Sequence, residues 1–227
     1  MGTPMVSVLV VDDQVLIRAG LAALIRAAPG LDVVGEAATG QEAVELAAAL
    51  RPDVVLMDIR MPGMNGLAAT ERILAAGGER APKILILTVF DIDEYVYTAL
   101  RLGAGGFLLK DTPPERLIAA IHTVAAGDVL LVPNAVKRLV EAFADAPKVA
   151  PPEVPDLALL TKRETEVLQA VGRAMSNREI ADRLLVSEAT VKTHLNRLMA
   201  KLNLSSRAQA VVLAYECGLV KPRRAGA

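Results

Sequence analysis

The sequence predicts two folds in series: α/β, a doubly wound parallel five-stranded domain, followed by an all-α domain of short helices. Three observations carry that expectation. Over residues 5–126, short apolar runs rich in β-branched side chains alternate with helix-length amphipathic stretches. Residues 146–155 then hold four prolines and no periodicity, the composition of a semi-extended linker. Beyond residue 156 every periodic segment reads as helix.

The strand candidates, in order, are 6–11, 33–36, 54–57, 84–87 and 106–109. Each is short and bounded by polar residues or Gly, as buried parallel strands are. Between them lie helix-length segments at 14–28, 40–50, 66–76, 92–102 and 114–126. In the second, Ala43, Leu46, Ala47 and Leu50 recur at helical spacing. The fifth opens on Pro113-Pro114, suited to a first helical turn. Five such units require a parallel sheet covered on both faces, with polar residues at the strand C-termini converging on one edge where ligands bind. Residues 133–144 read as a lone helix with Val136, Leu139, Val140 and Phe143 on one side. After the linker come helices at 161–173, 177–185, 188–202 and 206–216. The expected domains are therefore 5–126, a linker over 127–156, and 157–222.

Composition narrows the function classes. The 227 residues carry a net charge of −1, but the average hides an asymmetry. Residues 1–130 hold 10 basic and 16 acidic side chains; residues 156–227 hold 12 and 7. A basic rear of this kind points to a polyanion-binding module. One cysteine, Cys217, excludes an intrachain disulfide and a thiolate metal cluster. No Trp, three Phe and three Tyr leave little for an aromatic base-stacking platform. The apolar runs are strand-sized, far short of the ~18–20 residues that span a bilayer. No Lys or Arg precedes Asp12-Asp13, so no signal peptide is expected. The reading is of a soluble, cytoplasmic protein with no membrane partner.

Polar residues fall where the α/β fold binds ligands. Asp12-Asp13 follow the first strand, Asp58 ends the third, Thr88 the fourth and Lys110 the fifth. Three neighbouring carboxylates repel one another unless a divalent cation sits among them, and hard oxygen ligands suit Mg²⁺. A Lys beside them can hold an anionic group, and a Thr hydroxyl can reach it. Such a pocket binds a metal and a phosphoryl group and leaves one carboxylate free as nucleophile.

The C-terminal helices carry start signals. Thr161 with Glu164, and Ser176 with Glu179, each form a capping box. Ser187 caps the segment 188–202, in which Val191, Leu195, Leu198 and Leu202 recur on one face. Thr190, Lys192, Thr193, Asn196 and Arg197 then lie on the others. Two short helices, a tight turn and a polar second helix make a helix-turn-helix. The competing reading is a small bundle with a solvated charged face; the local excess of basic residues and the outward Thr/Lys/Asn set count against it.

The set Asp12-Asp13, Asp58-Ile-Arg-Met-Pro62, Gly66, Thr88 and Gly106-Phe-Leu-Leu-Lys110-Asp resembles a two-component response-regulator receiver domain, whose fold is flavodoxin-like. The resemblance implies that Asp58 is the phosphoacceptor, charged by a sensor histidine kinase or a small phosphodonor. It implies Mg²⁺ held by Asp12, Asp13, Asp58 and the backbone carbonyl of Arg60, with Thr88 and Lys110 meeting the phosphoryl group. Phe107 stands at the switch position, often Tyr, and lacks the hydroxyl. Residues 160–168, Ser176-Asn-Arg-Glu-Ile-Ala181 and Ser187-Glu-Ala-Thr-Val-Lys-Thr-His194 resemble the LuxR-type helix-turn-helix. The whole chain is thus similar to NarL/FixJ-type response regulators. That resemblance implies contacts with double-stranded promoter DNA through Lys192, Thr193 and Asn196 at bases, and through Thr190, His194 and Arg197 at phosphates. It also implies that phosphorylation shifts the receiver so as to release or dimerise the DNA-binding domain, with a homodimer as the phosphorylated form. The family often has Gly just before the Met-Ser-Asn segment, where Ala174 stands here. Two rival functions are a Mg²⁺-dependent phosphohydrolase and a constitutively dimeric DNA-binding regulator.

Overall fold

The structure, a computed structural model, describes residues 5–88, 93–127, 130–131 and 157–220. The expected lone helix 133–144 and the Pro-rich linker lie outside the described residues. The chain divides into two compact units: residues 1–92 with 102–130, and residues 93–101 with 131–227.

In chain order the first stretch runs β1 (Val6–Val11), α1 (Val15–Ala27), β2 (Leu31–Ala37), α2 (Gly40–Leu50), β3 (Val54–Asp58), α3 (Gly66–Gly77), β4 (Lys83–Thr88), α4 (Asp93–Leu102), β5 (Gly106–Leu109) and α5 (Pro114–Ala125). A two-residue strand, β6 (Leu130–Leu131), extends the edge beyond β5. The sheet order is β2-β1-β3-β4-β5-β6, and the pairings among the first five strands are parallel. The chain winds outward to β2 on one side of β1 and to β3, β4 and β5 on the other. That reversal opens a crevice between the C-terminal ends of β1 and β3.

Strand interiors are buried on both faces, which is why they read as continuous apolar runs rather than alternating ones. Val8, Val10, Val54, Leu56, Leu85 and Leu87 form one core layer with Ala22 and Ile25 of α1 and Leu117, Ile121 and Val124 of α5. Leu9, Val55, Met57, Ile84 and Ile86 occupy the alternate positions and are fully buried too. Each such side chain contributes about 1.5–3 kcal/mol by leaving water, so the strand ends are held on a rigid base.

The second unit contains the C-terminal helices α6 (Lys162–Gly172), α7 (Asn177–Leu184), α8 (Glu188–Lys201) and α9 (Arg207–Glu216). Both predicted capping boxes form: Thr161 and Ser176 each exchange hydrogen bonds with the Glu three residues on. Ser187 and Ser206 cap α8 and α9. Val167, Leu168 and Val171 of α6 join Ile180, Val191, Leu195, Leu198 and Val211 in the buried set. Two polar staples fix the helices. Lys201 Nζ sits 2.7 Å from the buried Glu164 carboxylate, joining α8 to α6. That ammonium, with the Thr161 backbone N–H, holds Glu164 down at about 2. Buried Arg207 donates to the Asn177 side chain and the Met175 carbonyl, joining α9 to the start of α7. Ala174, where the family often has Gly, adopts φ 58°, in the left-handed region. Among the described residues, no helix is long and apolar enough to cross a membrane.

Candidate metal centre and nucleic-acid interface

Parallel strands end on the same edge, so residues just past them are brought together. Asp12 follows β1, Asp58 closes β3, Thr88 closes β4 and Lys110 follows β5. One carboxylate oxygen from each of Asp12, Asp13 and Asp58 lies within 4.8 Å of the others. Lys110 Nζ stands 2.6 Å from Asp12 Oδ2 and 2.9 Å from Asp58 Oδ2. Asp12, Asp58 and the Lys110 side chain are only 1, 3 and 6 % exposed, so water screens these charges poorly.

The Lys110 ammonium meets two of the three carboxylates, and three of the cluster's buried oxygens have no hydrogen-bond donor: Asp13 Oδ1, Asp58 Oδ1 and Asp12 Oδ2, the last met only by the Lys110 ion pair. A buried, charged acceptor without a partner costs more than the 1–3 kcal/mol of a neutral one. Hard oxygen ligands of this kind fit a divalent cation that keeps part of its water. Burial raises the Asp58 carboxyl above its ordinary value and outweighs the lowering by Lys110; the Asp12 charge raises it further. Burial pulls Lys110 down, but its pairing with Asp12 and Asp58 prevails and raises it, keeping the ammonium charged.

The flanking residues are placed by backbone geometry. The Lys110 N–H donates to the Thr88 carbonyl at 2.7 Å, and Thr88 is buried. Phe107 is buried in β5 opposite Ile86. Arg60 is exposed, and its backbone N–H donates to the Asp58 carboxylate. Gly66, the first residue of α3, packs on Asp58 itself. A Cβ there would lie 1.9 Å from the Asp58 carbonyl oxygen.

Two contributors escaped the sequence reading. The Gln14 N–H donates to Asp12 Oδ1 at 2.9 Å, and Arg18 Nη1 donates to the Asp12 carbonyl at 2.6 Å. A signal for the second existed. Arg18 lies in the opening turn of α1, where the helix dipole disfavours a cation.

On α8, Val191, Leu195 and Leu198 face the core as predicted. Lys192, Thr193, Asn196 and Arg197 are exposed, while Thr190 and His194 are half-buried. Thr190 Oγ1 is 2.8 Å from Ser187 Oγ at the cap, and the Thr193 hydroxyl donates to the Ala189 carbonyl at 2.9 Å. The open face of α8 is therefore the Lys-Thr/Asn-Arg set, and its neighbours Thr190 and His194 flank it.

Residues 8–122 match the response regulator receiver domain model, and residues 158–214 match that of bacterial regulatory proteins of the luxR family. The chain is 42% identical to the uncharacterized transcriptional regulatory protein YxjL of Bacillus subtilis, over 95% of this chain and 98% of that one. It is 37% identical to the nitrate/nitrite response regulator protein NarL of Escherichia coli K12, over 92% of this chain and 95% of the relative. Among solved structures, response regulator ChrA of a heme-sensing two-component system aligns with TM-score 0.52 and 33% identity. That alignment covers 95% of this chain and 99% of ChrA.

Proposed function

The chain belongs to the response-regulator family, a receiver followed by a LuxR-type DNA-binding domain, and from that premise we propose how its residues divide the work of a phosphorylation-controlled transcriptional regulator. Asp58 is the phosphoacceptor. A carboxylate oxygen forms a bond to phosphorus as the donor's bond to its leaving group breaks, the donor being a phosphohistidine of a sensor kinase or an acyl phosphate. The observation that carries this reading is the convergence of Asp12, Asp13, Asp58 and Lys110 on one sheet edge, with Asp58 Oδ1 lacking a donor.

Asp12, Asp13, Asp58 and the Arg60 carbonyl hold Mg²⁺. When bound, that ion offsets negative charge on the entering phosphoryl group. Lys110 pairs with a phosphoryl oxygen, which brings up to about two negative charges and three acceptor oxygens. Thr88 donates its hydroxyl to another. Phe107, on the strand beside β4, responds to movement of Thr88, so charge chemistry at Asp58 becomes a change of surface shape. The domains are 5–126 and 157–222, joined by 127–156.

On the output side, Lys192, Thr193 and Asn196 reach base edges in the major groove, and Thr190, His194 and Arg197 meet phosphates. Phosphorylation favours a homodimer that reads two half-sites about one helical turn, ~34 Å, apart. The protein acts in the cytoplasm on promoter DNA. A phosphohydrolase is disfavoured because, among the described residues of the receiver, no histidine stands at the pocket to act as general acid. His122 is in the last turn of α5 beside Gly30, at the opposite end of the sheet, and His194 is in α8.

The test pairs two measurements on the full chain. Treated with acetyl phosphate and Mg²⁺, the wild type gains a retarded band on Phos-tag gels and Asp58→Asn does not. Promoter fragments then bind the treated wild type more tightly than Asp58→Asn. Equal labelling of the two, or equal DNA affinity, overturns the reading.

A further inference from the structure

The acidic cluster is shaped by a cation outside the set described above. Arg18 Nη1 donates to the backbone carbonyl of Asp12 at 2.6 Å, from a side chain only 16 % exposed. Its Nε stands 3.9 Å from the Glu36 carboxylate at the end of β2, which also receives Arg26 Nη2 at 3.0 Å. Arg18 thus bridges the first turn of α1, the edge of β2 and the loop that carries Asp12-Asp13.

Each polar group of Asp12 makes a contact, its Oδ2 through the Lys110 ion pair rather than a hydrogen bond. Its N–H donates to the Ala37 carbonyl at 3.1 Å, and its Oδ1 accepts from Gln14 N–H. Its Oδ2 meets Lys110, and its carbonyl meets Arg18. The peptide plane between Asp12 and Asp13 is therefore fixed by the guanidinium. Asp13 is in the opposite condition, half-buried with Oδ1 lacking a donor. The orientation of the Asp12–Asp13 peptide decides where the Asp13 carboxylate points. A cation near a helix N-terminus opposes the helix dipole, so Arg18 is retained there by its specific partners.

We infer that Arg18 is a positioning residue for the divalent cation: by holding the Asp12 carbonyl it aims the Asp13 carboxylate into the cluster. The inference rests on the assignment of Asp12, Asp13 and Asp58 as cation ligands. Its sign separates it from a plain charge effect. Removing a positive charge beside an acidic pocket tightens a cation, whereas removing an outer-shell anchor weakens it, typically 10–100-fold.

The test titrates MgCl₂ into the full chain by isothermal calorimetry, without phosphodonor. Arg18→Met keeps the apolar stem and removes the donor; it binds Mg²⁺ at least tenfold more weakly than wild type. Arg18→Lys restores one donor and recovers affinity to within about threefold. Affinity in Arg18→Met equal to or tighter than wild type overturns the inference, as does Arg18→Lys as weak as Arg18→Met. Should Arg18→Met fail to fold, Arg18→Gln, polar but too short to keep the bond to the Asp12 carbonyl, decides: loss of the charge alone tightens Mg²⁺, so a weakening of about threefold or more supports the role, and equal or tighter binding refutes it. Absence of Mg²⁺ binding by wild type instead refutes the ligand assignment itself.

Discussion

Replacing Gly66 by Ala is the sharpest perturbation the receiver offers. The added Cβ would sit 1.9 Å from the Asp58 carbonyl oxygen, 2.9 Å from its carbonyl carbon and 3.0 Å from Ile59 Cα. All three are backbone atoms, so no rotamer change relieves the contact. The oxygen contact must open to at least 3.0 Å, a displacement of about 1 Å at a close-packed site that resists it. Gly66 is held in place by its own N–H, which donates to the Ile59 carbonyl at 2.9 Å, and by the Asn65 cap on Ala68. The strain costs about 1–3 kcal/mol in stability. If Asp58 yields, a misplacement of about 1 Å in a reacting group slows transfer by about a hundredfold. The assay is a Phos-tag time course with acetyl phosphate and Mg²⁺, beside thermal unfolding by circular dichroism. Gly63→Ala is the control: it lies in the same loop at φ 73° and meets no neighbour within 4 Å. That variant loses stability to backbone strain and keeps its labelling rate. A Gly66→Ala chain that melts and labels like wild type would mean that the loop absorbs the methyl group without moving Asp58.

Three further outcomes are expected. Ala174→Gly relieves a left-handed alanine and stabilises the helical unit by about 1 kcal/mol, seen as a higher denaturant midpoint with unchanged slope; an unchanged or lower midpoint contradicts it. Glu164 has a folded value of about 2, below its ordinary 4.5, so its stabilisation is complete above pH 4.5 and disappears as pH falls through 2. Because Lys201 is partly exposed, that contribution is about 1 kcal/mol, and Glu164→Gln flattens the acid limb of an unfolding-versus-pH curve; an undiminished limb assigns it to other carboxylates. Arg197→Ala weakens binding to all promoter sequences alike and lowers the slope of log affinity against log salt by about 1. A changed sequence preference in gel shifts moves Arg197 to base readout.

Much of the receiver was legible because its strands are buried on both faces. Continuous apolar runs at 54–57 and 84–87 have few other homes, and their ends located Asp58 and Thr88 directly. The helix caps were legible for a local reason: Thr161, Ser176 and Ser187 satisfy N–H groups only a few residues away. The two-residue β6 was not, since a pair of leucines has no periodicity. Arg18 was missed because its partner is a backbone carbonyl, which leaves no trace in side-chain spacing. Arg207, buried against Asn177 and Met175, hid similarly among the basic residues that the charge balance had assigned wholesale to a polyanion surface. Charge counting cannot separate a staple from a contact; burial can.

The hydrogen bond from Lys110 N–H to the Thr88 carbonyl gives the two side chains on either side of the pocket a common mechanical frame. Thr88 cannot shift its backbone toward Asp58 without either dragging the start of the β5–α5 loop along or breaking that bond, at about 1 kcal/mol. Partial rearrangements therefore carry a penalty that complete ones do not. For the switch proposed above, this link favours a concerted movement of the two segments over a partial one.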